Sequence, residues 1–315
     1  MATKLERAPG APEAPAPPAD AVERAQRQER RKRRRKEATG HALLIPATLW
    51  LLVFLVLPLV VIGVYAFAGE RGTLGQTHVG SPGFGNFSQI FAGNYIFTFF
   101  RALWFSFLVV VVTLALGYPL AYFIVRFGGR WQPVWLLFVM VPFWTSYLAR
   151  MYAWRSLMSS DGLVNTVLGW FGIGGVSWLG NPLAVVLVLA YSFLPFMVLP
   201  LYISIDRMDF RLVEASYDLG ADRASTFLRV TVRQTLPGIL GGTMLVFIPC
   251  VGDFATAQII GLNTDQTKMV GQQIQDLFGK GNYPLGSALS MLLMVFIVVG
   301  MLLYIRSVGR EEGGF

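Results

Sequence analysis

One cysteine and two histidines in 315 residues leave little material for several kinds of chemistry. Cys250 has no partner for an internal disulfide and sits inside an apolar run, where it reads as a small packing residue. His41 and His78 lie far apart, with no Cys or Glu cluster beside either, so no metal site is expected. Charge is scarce as well: 14% of the chain is Asp, Glu, Lys or Arg and 54% is hydrophobic, whereas about 25% charged is usual for a soluble domain. A phosphate loop of the form Gly-x4-Gly-Lys-Ser/Thr is missing, which removes that route to cradling ATP. No paired acids, His with Ser or Cys, or metal-ligand set marks a catalytic centre, so an enzyme of the membrane is not expected.

What the chain has instead is six long apolar segments. They run from Ala42 to Phe67, Leu103 to Val125, Val134 to Tyr152, Leu183 to Ile205, Ile239 to Ile260 and Leu285 to Ile305. Each reaches or approaches the ~20 residues with which a helix crosses ~30 Å of hydrocarbon. Backbone in lipid must satisfy its own hydrogen bonds, so the expected fold is an all-α integral membrane protein with six transmembrane helices. Pro58, Pro119, Pro142, Pro195 and Pro249 fall inside these runs and predict kinks or local breaks. The first run, at about 25 residues, is too long for a signal-peptide core of 7–15 and is expected to be retained.

Six spans place both ends on one side. Residues 1–41 carry 11 Lys and Arg, and the second-to-third loop, the fourth-to-fifth loop and the C-terminus carry 2, 5 and 2; the opposite side holds the remaining 6 of 26. The excess of basic residues puts both termini in the cytoplasm. Residues 1–40 are expected to be a tail without a core: Arg7 to Asp20 is rich in Pro and Ala, and Arg24 to Glu37 is a dense basic run. Such a run fixes topology and attracts anionic lipid; no nucleic-acid-binding fold follows it. Residues 41–315 then form one six-span domain.

The loop at 206–236 is unlike a linker. Leu212, Val213, Tyr217 and Leu219 are spaced along one short helix, Gly220 can end it, and Asp222 can cap a second helix bearing Phe227 and Val230. Pro237-Gly238 is expected to interrupt that second helix before the fifth span. Five basic residues balance five acidic ones. Bulky apolar groups at helical spacing fit either a groove on a partner protein or the lipid headgroups.

The stretch EASYDLGADRASTFLRVTVRQTLPGI, Glu214 to Ile239, resembles the signature loop of ATP-binding-cassette (ABC) importer permeases. Glu214, Ala215, Gly220, Phe227, Pro237, Gly238 and Ile239 match that pattern; Ser216 stands where Ala is usual, and Arg233 where Pro is frequent. VPFWTSYLARMYAWRSLMSSDGLVN, Val141 to Asn165, and FIPCVGDFATAQIIG, Phe247 to Gly261, are similar to the permeases of spermidine and putrescine importers. Related branches carry iron, phosphonates or thiamine. The resemblance covers His41 to Arg306 and implies the fold of the type I importer permeases. It implies a permease subunit in a bacterial inner membrane that binds no cofactor itself, with ATP and Mg on a homodimer of ABC ATPase subunits. A second, related permease and an extracytoplasmic solute-binding protein complete the implied complex. The segment Glu214, Ala215, Ser216, Asp218, Leu219, Gly220, Ala221 and Phe227 is implied to be the coupling helix region that docks on the ATPase. The alternative, a channel or secondary transporter, would need ion-coupling groups at mid-membrane, where Asp253 is the single acid in the six runs.

Asp253 lies about 14 residues into the fifth run, roughly 21 Å along a continuous helix. Lipid exposure there would cost about 2.5–3.5 kcal/mol. Two readings follow: it lines a pathway and attracts a cation, or it pairs with an arginine or caps a helix broken near Pro249 and Gly252. Trp144, Tyr147, Tyr152 and Trp154 fit an interfacial aromatic belt, with Trp144 and Tyr152 the candidates to face a substrate ammonium. Arg150 and Arg155 contact a binding protein or extend to headgroups.

Overall fold

In the computed structural model the described residues are 46, 48–68, 83–93, 95–173 and 175–312, with side chains described up to 306. The tail at 1–40, both histidines and the start of the first apolar run lie outside them. The chain divides into two units at Val61 and Ile62. Among the described residues all regular structure is helical, and five helices are long and apolar enough to cross a membrane, or six if one bent pair counts as a span.

The first, α1, is Thr48–Ala66 and continues through Pro58. A short α2, Gly85–Ala92, follows it. Asn86, 4% exposed, donates from Nδ2 to the carbonyls of Ala66 and Ala68, so the end of α1 has partners for two of its free acceptors. The long α3, Tyr95–Phe127, α7, Pro182–Asp206, and α10, Val232–Val251, form the centre of the second unit and pack most extensively on one another. Pro119, Pro195 and Pro200 sit inside α3 and α7 without ending them.

Small residues set how closely these helices approach. A Cβ on Gly238 would lie 2.4 Å from Ser204 Cβ and 2.7 Å from the Pro200 carbonyl oxygen, and one on Gly242 would lie 2.8 Å from Met197 Sδ. The two glycines, four residues apart, let α10 lie directly on α7. This corrects the expectation for Pro237-Gly238: it does not interrupt the helix. Four-residue α9, Arg223–Thr226, a π-turn at Phe227–Thr231 and α10 run on as one 29-residue span, Arg223–Val251. The π-turn supplies the local change of register that the proline was expected to give.

The breaks occur elsewhere. The third apolar run is not one helix: α4, Gln132–Met140, ends in a 3-10 turn at Val141–Trp144, and α5, Tyr147–Leu157, leaves at 88° to it. Pro142 supplies no N–H, Thr145 is extended, and the Thr145 hydroxyl donates to the Pro142 carbonyl at 2.8 Å. The fifth run is also divided. After Pro249, α10 stops at Val251, and a separate five-residue helix, α11 (Ala255–Ile259), follows Gly252 and Asp253. Asp253 therefore lies in a break beyond the helix end, not 14 residues into a continuous span.

The remaining helices are α6, Leu163–Trp170; α8, Phe210–Asp218; α12, Val270–Gly279; and α13, Tyr283–Glu312. Lys268 and Asp276 form an ion pair at 2.8 Å at the start of α12.

Candidate functional site

Two polar regions interrupt the apolar chain. The first is the elbow between α7 and α10. Asp209 Oδ1 accepts the Arg211 amide at 3.0 Å and caps α8, while the Asp209 amide donates to Gln234 Oε1 at 3.1 Å and ties the elbow to the start of α10. At the other end Gly220 takes φ +82°. The Ala221 amide bonds the Ser216 carbonyl at 3.1 Å and the Gly220 amide bonds that of Tyr217 at 2.9 Å, the paired bonds of a Schellman ending. No atom lies within 4 Å of a Cβ built on Gly220, so the backbone angle alone requires glycine. The expected Asp222 cap is absent: Asp222 occupies the position, but its side chain accepts no capping bond. Asp209, which sequence reasoning passed over, supplies the cap the elbow has; an Asp directly before a helix-forming stretch was the available signal.

Nothing on α8 is buried. Glu214, Ala215 and Asp218 are exposed, and Leu219 is 88% exposed. Between α8 and the start of the next helix runs a groove of about 580 Å³, lined by Leu212, Ala215, Ser216, Leu219, Ala221, Arg229 and Arg233 among others. The elbow is bound to the spans on its other side. The Ser216 and Thr226 hydroxyls meet at 2.9 Å. The Phe227 ring stands edge-on to Tyr118 of α3, with centroids 5.5 Å apart, and the Tyr118 hydroxyl meets Thr235 Oγ1 of α10 at 3.0 Å. Arg126, at the end of α3, lies over the Phe210 ring at 5.4 Å. Aromatic and hydroxyl contacts thus connect the elbow to α3 and α10.

The second region joins the two broken spans. Asp253 Oδ1 accepts the Thr256 amide at 2.9 Å, as a cap on α11, and Oδ2 accepts the Tyr147 hydroxyl. The Tyr147 oxygen also lies 2.8 Å from Thr256 Oγ1, which reaches Met151 Sδ at 3.3 Å. Of the two sequence readings of Asp253, the capping one describes its bonds, and no arginine forms an ion pair with it among the described residues. Trp144 is 73% exposed in the 3-10 turn and Tyr152 58% exposed on α5, and neither makes a hydrogen bond or ring contact to Asp253. The aromatic side chain that reaches it is Tyr147, the first residue of α5 after the break. Arg150 caps this face, its guanidinium 5.5 Å from the Tyr147 ring centroid and 5.7 Å from that of Phe143.

No protein-family model matches the chain. The chain is 32% identical over 261 residues to the spermidine/putrescine transport system permease protein PotB of Haemophilus influenzae, covering 82% of this chain and 90% of that protein. The PotB of Escherichia coli is 33% identical over 225 residues, 70% of this chain and 81% of that protein. Among solved structures, a bacterial ABC transporter involved in the import of the acidic polysaccharide alginate superimposes with a TM-score of 0.65 at 20% identity, covering 89% of this chain and 98% of that one. The same fold match, at 19% identity, comes from the alginate transporter in complex with a pentasaccharide-bound periplasmic protein. With an all-helical fold of five to six spans, an exposed elbow and two-thirds or more of its length shared with these relatives, the chain belongs to the PotB family of transport-system permease proteins.

Proposed function

We propose that this chain is the membrane-spanning subunit of an ATP-driven importer for polyamines of the spermidine and putrescine type. The observation that carries the reading is the elbow: a helix capped by the Asp209 side chain and ended at Gly220, with none of its residues buried among the described residues, and joined through Phe227 and Tyr118 to two spans. Docking of a separate ATPase on α8 and its adjoining groove gives that construction a purpose. Glu214, Ala215, Ser216, Asp218, Leu219, Gly220, Ala221 and Phe227 form the coupling segment; the first five and Ala221 meet the ATPase or shape its seat, Gly220 ends the helix, and Phe227 passes the motion inward. ATP and Mg act on the ATPase pair and this chain binds no cofactor.

The substrate assignment is supported by the names of the relatives, and Asp253 adds a chemical reason, since a carboxylate in a break between helices attracts an ammonium group. Trp144 and Tyr152, exposed on either side of the α4–α5 break, offer ring faces along the same path. A second related permease, a solute-binding protein on the outer face and lipid complete the surroundings. Both termini face the cytoplasm of a bacterium whose inner membrane holds the complex, with residues 1–40 as a basic tail and 41–315 as the permease domain.

The test is reconstitution. The chain, co-expressed with its genomic neighbours, should copurify with an ATPase subunit. In vesicles the complex should import radiolabelled spermidine or putrescine only when ATP and the binding protein are supplied. Uptake by this chain alone, without nucleotide, would overturn the reading; ATP-driven uptake of a different solute would overturn only the substrate.

A further inference from the structure

One membrane span is broken, the fifth apolar run is divided just past the end of its 29-residue helical span, and the two breaks meet. The third span bends by 88° between Gly129–Trp144 and Tyr147–Leu157, and the fifth stops at Val251 and resumes as α11 after Gly252 and Asp253. Tyr147 is the first residue of α5, and Asp253 lies inside the other break. Their side chains are bonded across 106 residues of sequence, and Thr256 Oγ1 lies between the Tyr147 hydroxyl and Met151 Sδ. On the far side of the fifth-span break, the site of a Cβ on Gly271 is 2.3 Å from the Gly252 carbonyl oxygen, so the start of α12 seals it. By contrast, α4 has no buried residue, and its half of the span is joined to α5 by the stretch Thr145–Ser146 and by Arg150 lying over the Phe143 ring at 5.7 Å. The half-span α5 is therefore fastened to α11 by polar bonds and packing, while its tie to the α4 half is one stretch of chain and one cation–ring contact.

We propose that Tyr147 is a positioning residue of the transport path: its hydroxyl clasps Asp253 and Thr256 so that α5 and α11 move as one body, with the pivot at Thr145–Ser146. The inference rests on the importer reading above, because it gives the joint a cycle to act in. Broken spans are where backbone angles change at least cost, since the helical hydrogen bonds are already absent there. A clasp between the two breaks ties the half-span that can turn to the one sealed by α12 and keeps the Asp253 carboxylate aimed the same way throughout. An Asp left without the clasp would retain its α11 cap and lose its tie to α5.

The experiment uses nitroxide labels on the complete complex. Cys250 is fully buried and serves as the unlabelled background, checked with a chain carrying no other cysteine. One pair, Leu148→Cys with Gln258→Cys, spans the clasp; a second, Phe138→Cys with Leu148→Cys, spans the bend. Between the nucleotide-free and vanadate-trapped states, the clasp pair should hold its distance and the bend pair should shift. In Tyr147→Phe the clasp pair should broaden, and ATP hydrolysed per solute imported should rise by about three- to tenfold, the factor one interhelical hydrogen bond in a membrane is worth. In the distance of the clasp pair, Asp253→Asn combined with Tyr147→Phe should add little to Tyr147→Phe alone, since both remove the same bond; uptake is read separately, because the carboxylate also faces the substrate path. A clasp pair that shifts as far as the bend pair, a bend pair that never shifts, or a Tyr147→Phe clasp pair as narrow as before would each overturn the proposal. Copurification of the other subunits with Tyr147→Phe distinguishes a lost clasp from a lost fold. Failure of the unaltered complex to import with ATP sinks the importer reading instead, and the clasp is then judged on the Tyr147→Phe distances in the resting state.

Discussion

The elbow and the joint are both polar interruptions of an apolar chain, held by opposite means. In the elbow the fixing bonds are local: Asp209 to the Arg211 amide, Ala221 to the Ser216 carbonyl, Ser216 to Thr226. In the joint they are remote, with Tyr147 and Asp253 separated by 106 positions. A locally fixed segment keeps its shape while its surroundings move, which suits a part that transmits force. A remotely fixed one has no shape until distant elements meet, which suits a part whose parts must stay in register as helices shift.

Four tests would break or sharpen that contrast, in descending order of effect. Gly238→Ala drives a methyl group onto Ser204 Cβ and the Pro200 carbonyl oxygen. It should cost about 1–3 kcal/mol or more by overpacking, seen as a lower thermal midpoint of the purified complex and less assembled protein. Its control is Gly241→Ala, whose nearest atoms, Pro200 Cβ and the Tyr304 hydroxyl, are 3.9 Å away, and which should leave the midpoint nearly unchanged. Were the two to behave alike, the close approach of α10 to α7 would not be what these glycines provide.

Gly220→Val forces a β-branched residue into the left-handed region, a strain of about 1–3 kcal/mol. The effect should appear in coupling more than in stability, as ATP hydrolysis with little uptake, and Gly220→Asn should recover most of the uptake because Asn tolerates that region. Equal transport by Gly220→Val and the unaltered chain would mean that the Schellman ending is dispensable. Phe227→Ala removes an edge-to-face contact worth about 0.5–1.5 kcal/mol beyond its buried area. It should weaken coupling without releasing the ATPase in a pull-down; loss of ATPase binding would reassign Phe227 from the inner link to the docking seat.

The smallest pair separates the two aspartates. Asp209→Ala should lower stability by about 1 kcal/mol through the lost cap. Asp222→Ala should change the unfolding midpoint little, since its side chain makes no capping bond. The reverse order would show that the elbow is held at its second helix and not at its first.

The six apolar runs were legible because a membrane selects for length and composition, and α3, α7 and α13 begin within about ten residues of where hydropathy put them. The exposed helix of the elbow and its ending at Gly220 were legible for a different reason: glycine in a polar break has few other uses. Of the five prolines expected to kink or break their runs, Pro142 and Pro249 stand at or just before a break, while α1, α3 and α7 continue past theirs. Proline removes one bond, which by itself does not end a helix. Pro237 lies where α10 rests on α7, whereas Pro142 and Pro249 are followed by breaks at Thr145 and Gly252.

By itself the sequence determined the apolar runs, the elbow and its turn, because those follow from hydrophobicity and from backbone angles over a few residues. Only the tertiary structure decided that Gly238 is a contact surface, that the third and fifth spans break, and that Asp253 belongs to Tyr147. Those facts depend on which helices lie side by side, and a hydrogen bond between residues 106 positions apart leaves no periodic trace in either stretch of chain.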